Sequence, residues 1–281
     1  MKQQSLFSSS VSPDVTLVEG KLPLILSVPH GGDQLPSSIP NRTDGHLIAD
    51  AYTISLAHKI SHLIQSHYNA APFLVILNIA RRKVDVNRSI LEGTESIQGQ
   101  RVWKEYHDVL QRTINKVKTR YRYGLLLDIH GQAHKEGMVE LGYLLNRTML
   151  QRTTKKDERE LIRHSSISDL ADRIEQHRHG SAVSLLRGNG SFGYAMMMDQ
   201  EDNHQVDVVP SPIHPYPVEH ALYFAGGYIT QTYHSSLDII QIESPQRLRF
   251  SPQGHDLLAR RIANAAIYML DHYYLHDRAK L

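Results

Sequence analysis

The sequence predicts an α/β protein with one domain, built on a mixed, mostly parallel sheet flanked by helices. Short apolar runs alternate with segments whose apolar residues recur at helical spacing, which is typical of parallel strands joined by helices. Three of these runs also end near residues that can bind a metal or move a proton. Because no internal repeat or clear linker divides the 281 residues, we expect a single catalytic domain at 14–281 after a flexible segment at 1–13.

The predicted strands are short apolar runs bounded by turn-forming residues. They cover residues 22–28, 72–77, 125–127, 141–145 and 237–242. In an open α/β sheet, ligands bind in the crevice outside the carboxyl ends of the strands. Polar residues that follow these runs are therefore candidates for a functional site.

Helical periodicity predicts the connecting helices. Such spacing covers residues 51–64, 102–117 and 168–177. Asp44 or Asp50 is the candidate cap of the first of these helices. Ser251 and Pro252 open a long final helix, because proline is favoured at the first helical position.

Composition excludes several classes of function. The formal net charge of +2 is nearly balanced, so we expect neither a nucleic-acid nor a membrane partner. The absence of cysteine excludes disulfides, thiolate zinc sites and a cysteine nucleophile. No secretory signal or membrane-spanning apolar segment is visible, and we expect a cytoplasmic protein.

The candidate metal ligands are His30, Asp33 and His130. His30 and Asp33 lie three positions apart in a turn after one strand, and His130 follows another. Two ring nitrogens and a carboxylate leave the fourth position of a zinc ion for water, which is the catalytic arrangement. Alone, the His-x-x-Asp spacing favours a turn-stabilising aspartate and a partly buried histidine, but the combination with His130 favours one zinc ion per chain. Glu243 is then the candidate base that takes a proton from water and passes it to the leaving nitrogen.

A second group of candidate residues lies in the cation-rich segment 80–88. Arg88 beside Asn87 could bind a substrate carboxylate, because a guanidinium reads a carboxylate through two parallel hydrogen bonds. Asp85 or Asp128 could hold a ligating histidine by its other ring nitrogen. Either aspartate also fits a structural salt bridge.

The sequence leaves two interpretations open for the glycine pair at 226–227 and for the arginines at 81 and 82. Gly226 and Gly227 before Tyr228 fit a strand-entry turn, or a backbone brought close to substrate with Tyr228 lining the pocket. Arg81 or Arg82 fits a solvated surface, which is the favoured interpretation, or a second cation for a dicarboxylate substrate.

Taken in order, these motifs resemble the N-formylglutamate amidohydrolase family of the zinc carboxypeptidase-like superfamily. The resembling segments are residues 27–32, 85–88, 127–131, 226–230 and 240–243. The resemblance implies a phosphorylase/hydrolase-like α/β fold, zinc, and hydrolysis of a small-molecule substrate, an N-acylated acidic amino acid. For the family substrate, N-formyl-L-glutamate, the products are glutamate and formate. By position, it implies His30 and His130 as ligands and Glu243 as general base and acid, with Asn87 and Arg88 binding the substrate carboxylate.

Two alternative functions remain. A carboxypeptidase-like or deacylase enzyme could use the same residues on a peptide or on another acylated amino acid. A binding module without catalytic activity could retain the same fold, but it would be expected to lack Glu243 or the ligands. Because these residues are present, the sequence favours an enzyme.

Overall fold

The apolar runs of the sequence form the strands of one sheet. The computed structural model describes residues 9–152, 160–177, 183–198 and 206–275. Within these residues the strands are β1 (Ser9–Val11), β2 (Val15–Val18), β3 (Leu24–Val28), β4 (Phe73–Leu77), β5 (Leu125–Gln132), β6 (Val139–Gly142), β7 (Val208–Val209) and β8 (Asp238–Pro245). Their order across the sheet is β1-β2-β4-β3-β5-β8-β6-β7.

The centre of the sheet consists of four parallel strands, β4-β3-β5-β8. Antiparallel pairs flank this centre, since β2 runs against β4 and β6 runs against β8. The prediction of a mixed, mostly parallel α/β sheet is confirmed. Because the four central strands point the same way, their carboxyl ends meet at one edge.

Helices cover both faces of the sheet. They are α1 (Thr53–Tyr68), α2 (Ile90–Gly93), α3 (Ile97–Tyr121), α4 (Arg147–Leu150), α5 (Ser168–His177), α6 (Ser184–Arg187), α7 (Phe192–Met197), α8 (Tyr228–Tyr233), α9 (Gln246–Arg249) and α10 (Pro252–Met269), which continues into a π-helical segment at Leu270–Tyr274. Alternate strand residues pack into two separate cores, one with α1 and α10 and the other with α3. None of the helices in the described ranges is long and apolar enough to cross a membrane.

Several predicted boundaries need correction. Residues 9–11 were predicted to be part of a flexible segment, but they form β1 and pair with β2; residues 1–8 lie outside the described ranges. Strand β5 continues past residue 127 and β8 past residue 242, so that His130 and Glu243 lie within strands. This extension fixes the backbone of both residues in the parallel ladder.

Two predicted turn elements also differ. The residue that caps α1 is Tyr52, in a left-handed conformation and with no side-chain cap, so neither Asp44 nor Asp50 has the expected role. Gly227 caps the short helix α8 and does not open a strand. The final helix begins as predicted, with the Ser251 hydroxyl accepting a hydrogen bond from the amide of Gly254.

Candidate metal centre

Three buried side chains converge at the carboxyl edge of the central strands. His30 follows β3, His130 lies near the end of β5, and Asp50 comes from the loop before α1. The Asp50 Oδ2 atom lies 3.4 Å from His30 Nδ1 and 3.3 Å from His130 Nδ1. One ligand atom from each residue lies within 4.8 Å of the other two, so this group could hold a metal ion.

The two separations that involve Asp50 match those expected around a tetrahedral zinc ion. Ligand atoms bound to zinc at about 2.0–2.1 Å lie about 3.4 Å apart in tetrahedral geometry. The Asp50–His30 and Asp50–His130 distances agree with that spacing. His30 Nδ1 is also buried with no hydrogen-bond partner among the described residues, as expected for a nitrogen reserved for a ligand.

The outer ring nitrogens of both histidines face buried carboxylates. His30 Nε2 lies 2.7 Å from Asp85 Oδ1, and His130 Nε2 lies 2.9 Å from Asp128 Oδ2. A carboxylate at this position accepts a hydrogen bond from the Nε2–H group and so favours the tautomer in which the Nδ1 lone pair is available to a metal. Both inner nitrogens can therefore act as metal ligands in the same tautomer.

Arg81 joins the candidate ligand Asp50 to Asp85. Its guanidinium donates to Asp50 Oδ1 at 3.2 Å and to Asp85 Oδ2 at 3.0 Å. Burial by itself raises the pKa of the Asp85 carboxyl, but His30 and Arg81 hold that pKa well below its usual range. Burial likewise raises the pKa of the Asp50 carboxyl, but His130 and His30 outweigh burial and lower that pKa well below its usual range, so both carboxylates remain ionised. Of the two arginines considered from sequence, Arg81 contacts this centre, whereas the Arg82 side chain is exposed.

The negative charge of the centre favours a cation. Burial lowers the pKa of His130, but Asp128, Asp50 and Glu243 outweigh burial and raise that pKa well above its ordinary value. The same potential that holds a proton on this ring also attracts a divalent cation.

Glu243 lies beside His130 in the β5–β8 ladder, where the two residues are register partners. Its Oε1 accepts a hydrogen bond from Gln241 at 2.9 Å. The Oε2 atom is buried and has no hydrogen-bond partner among the described residues. Burial raises the pKa of Glu243 to about 8, which suits a carboxyl that both accepts and donates a proton near neutral pH.

The predicted ligand Asp33 does not join this group. Its side chain is exposed in the loop after β3, and Asp50 is the carboxylate that faces the two histidines. The backbone brings Asp50 there, because its amide donates to the His30 carbonyl at 3.0 Å and its Oδ2 accepts from the Gly131 amide at 3.1 Å. In the sequence, Asp50 is one of several polar residues between β3 and α1. Its position before a helix also fits a helix cap, so the sequence alone does not mark it as a metal ligand.

Asn87 contacts the centre but is held by the backbone. The backbone amide of Asn87 donates to Asp85 Oδ1 at 2.9 Å, and the side-chain Nδ2 of Asn87 lies 3.4 Å from His130 Nε2. The Asn87 Oδ1 accepts a hydrogen bond from the amide of Ile229 at 2.8 Å. Gly227 packs directly on this side chain, where an added Cβ would overlap the Asn87 amide. The two segments that sequence reasoning singled out are thus in contact with each other.

Of the other predicted substrate-binding residues, Arg88 and Tyr228 are the chain neighbours of Asn87 and Gly227, whereas Arg82 lies elsewhere on the surface. The Arg88 side chain is exposed, while its carbonyl accepts a hydrogen bond from Trp103 Nε1 at 3.0 Å. Tyr228 is half-buried and packs against Trp103 and His107, with ring centroids 6.0 and 5.7 Å away. Arg82 faces solvent, and its carbonyl accepts from the amide of Arg42.

Solved structures with a similar backbone were found. The N-formylglutamate amidohydrolase from Ralstonia eutropha JMP134 superimposes with a TM-score of 0.55 at 13% identity, over 95% of this chain and 99% of that one. The gene product Atu2144 from Agrobacterium tumefaciens gives a TM-score of 0.52 at 14% identity, over 92% and 94%. The chain shares their fold. The resemblance predicted from sequence motifs is confirmed at that level. No protein-family model and no curated protein sequence matched the chain.

Proposed function

We propose that the protein is a metal-dependent amidohydrolase that cleaves the amide bond of an N-acyl amino acid. The observation that carries the proposal is the convergence of His30 Nδ1, His130 Nδ1 and Asp50 Oδ2 in a buried site beside Glu243. The fold shared with an N-formylglutamate amidohydrolase supports the same class of reaction. The proposed substrate is N-formyl-L-glutamate, and the proposed metal is one zinc ion per chain.

His30, His130 and Asp50 would hold the zinc ion, in place of the Asp33-containing set predicted from sequence. When bound, zinc would supply a polarised amide carbonyl and a water that loses a proton near neutral pH. Asp85 and Asp128 orient the two rings, and Arg81 keeps Asp50 and Asp85 in place.

Glu243 moves the proton in this proposal. Its free Oε2 accepts the proton of the attacking water while Gln241 holds Oε1 in place. The protonated carboxyl then donates to the leaving nitrogen as the carbon–nitrogen bond breaks, which yields a carboxylic acid and the free amino acid. The strand that carries Glu243 contributes residues to both apolar cores, and the Glu243 carboxyl is buried beside them.

Asn87 and Arg88 are the proposed anchors for the substrate carboxylate. Asn87 is fixed by Ile229 and Gly227, so its remaining amide hydrogens are oriented without further ordering. Arg88 follows it on the solvent side, where its guanidinium is open to an incoming anion. Gly227 and Tyr228 complete this wall of the proposed pocket.

The proposal is tested by measuring amine release from zinc-loaded protein with matched substrates. We expect N-formyl-L-glutamate to be hydrolysed faster than N-formyl-L-glutamine, which differs by one charge, and faster than N-acetyl-L-glutamate, which differs by one methyl group. The deacylase alternative predicts instead that the acetyl compound or a peptide is the better substrate. Zinc binding without turnover of any of these compounds would favour the binding module and contradict the proposal.

A further inference from the structure

A chain of buried hydrogen bonds leads from the protein core to His130. The Tyr106 hydroxyl, on α3, lies 2.8 Å from the Ser27 Oγ of β3. Ser27 Oγ donates to Asp128 Oδ1 at 2.7 Å, and Asp128 Oδ2 lies 2.9 Å from His130 Nε2. Tyr106, Ser27 and Asp128 are fully buried, so no water competes for these bonds.

These hydrogen bonds allow only one arrangement of donors, in which Tyr106 and Ser27 on one side and His130 on the other donate towards Asp128. Asp128 accepts at both oxygens when ionised, so the single Ser27 hydroxyl hydrogen is committed to it. The Tyr106 hydroxyl must then be the donor to Ser27. Burial raises the pKa of Tyr106 well above its ordinary value, and this keeps the phenol proton in place. The last link keeps a proton on His130 Nε2, so Nδ1, which lies 3.3 Å from Asp50 Oδ2, is the ring nitrogen that can give up its proton to bind a metal.

The two candidate histidine ligands are therefore oriented by different kinds of interaction. The partner of His30 is Asp85, which is oriented by the Arg81 guanidinium and by the Asn87 amide. Asp128 makes no ion pair with an arginine or lysine among the described residues, and its other oxygen faces the neutral Ser27 and Tyr106 hydroxyls.

We infer that Tyr106 and Ser27 are positioning residues for the metal centre, which act by fixing the tautomer and orientation of His130 through Asp128. This inference rests on the proposed metal-binding function and extends it to two core residues to which the sequence motifs assign no role. Such residues are expected to alter metal affinity without touching metal or substrate.

The test measures zinc affinity by chelator competition for Ser27→Ala, Tyr106→Phe and the double variant. We expect about 10-fold weaker zinc binding for Ser27→Ala, at the low end of the range for partners that orient metal ligands, and a smaller loss for Tyr106→Phe. Because Tyr106 acts only through Ser27, Tyr106→Phe should cause no further loss in the Ser27→Ala background. The absorption spectrum of the cobalt(II)-loaded single variants should shift as well, since it reports ligand geometry.

Tyr143→Phe is the matched control. It removes another fully buried tyrosine hydroxyl, one without a hydrogen-bond partner among the described residues, and it should leave zinc affinity and the cobalt spectrum unchanged. The inference is overturned if both single variants bind zinc as tightly as the wild type, or if their losses add in the double variant. A wild-type protein that binds no zinc would contradict the proposed function itself, whereas tight wild-type binding with unaffected variants would overturn only the role of Tyr106 and Ser27.

Discussion

Replacement of Asp50 by asparagine changes the charge of the candidate metal centre while preserving its size. In the structure Asp50 Oδ2 faces both histidine Nδ1 atoms and accepts from the Gly131 amide, while Oδ1 accepts from Arg81. An asparagine has one oxygen and one NH2 group. The asparagine oxygen can therefore replace either Oδ2 or Oδ1. The NH2 group must then face either the histidine nitrogens and the Gly131 amide or the Arg81 guanidinium, none of which accepts it well.

The expected loss of zinc affinity follows from this geometry. Partners that only orient a ligand contribute about 10–100-fold in metal affinity, so loss of a direct carboxylate ligand should exceed about 100-fold. At a zinc concentration about 100 times the wild-type Kd, zinc stabilises the wild type by about 2.7 kcal/mol; a variant bound about 100-fold more weakly retains about 0.4 kcal/mol. Without zinc, the lost buried hydrogen bond to a charged group costs about 1.5–3 kcal/mol.

Asp33→Asn is the control for this prediction, because Asp33 is the carboxylate that sequence spacing favours and it is exposed. Chelator competition and urea unfolding with and without zinc measure both variants. We expect Asp33→Asn to match the wild type and Asp50→Asn to lose zinc-dependent stabilisation. Loss of zinc binding in Asp33→Asn, with Asp50→Asn unaffected, would refute the ligand set.

Four further results are expected. Glu243→Gln should abolish turnover while zinc stays bound, and turnover at the parental rate would exclude Glu243 as the proton carrier. Arg88→Ala should raise KM for a carboxylate substrate more than it lowers kcat; an unchanged KM would remove Arg88 from the site. Gly227→Ala should destabilise the protein by about 1–3 kcal/mol in urea unfolding, because its Cβ overlaps the Asn87 amide; a stability equal to that of the parent would contradict this contact. Burial lowers the pKa of His107 to about 4, below the value of about 6.5 in the unfolded chain, so the unfolded chain binds this proton first as the pH falls. The free energy of unfolding that depends on a neutral His107 is therefore fully present above about pH 6.5 and is lost as the pH falls towards 4. We expect His107→Gln to lessen the loss of unfolding free energy over that window by up to about 3 kcal/mol, and an unaltered pH dependence would contradict the burial argument.

The fold and part of the candidate site follow from simple sequence patterns. Short apolar runs bounded by turn residues predict the central strands, because helices need longer periodic segments. Residues at the carboxyl ends of parallel strands then lie at the same edge of the sheet. His30, His130 and Glu243 could be grouped for that reason. The same argument cannot give side-chain roles in loops, because loop residues have no periodicity that shows which way they point.

Asp50 and Arg81 illustrate that limit. Seventeen positions separate Asp50 from Asp33, and both lie in the polar segment between β3 and α1. Hydrogen bonds to the His30 carbonyl and from the Gly131 amide bring Asp50 into the centre, and both are tertiary contacts. Arg81 and Arg82 are equivalent in sequence, and only the fold turns Arg81 towards two carboxylates.

Tyr106 and Ser27 show a second limit. A tyrosine on an apolar helix face and a serine within an apolar strand are ordinary core residues by pattern. Their hydroxyls acquire a direction only because β3, β5 and α3 pack together, with Ser27 paired to Asp128 in the strand register. Sequence patterns therefore identify the ends of strands more readily than the hydrogen bonds that support them.

The most direct test of the account is an anomalous difference map, recorded at the zinc absorption edge from a crystal of the zinc-loaded protein. The account predicts one peak per chain, bound by His30 Nδ1, His130 Nδ1 and Asp50, with Glu243 beside it. A peak on Asp33, or no peak among these residues in the presence of zinc, would contradict the proposed centre and the hydrolytic mechanism that depends on it.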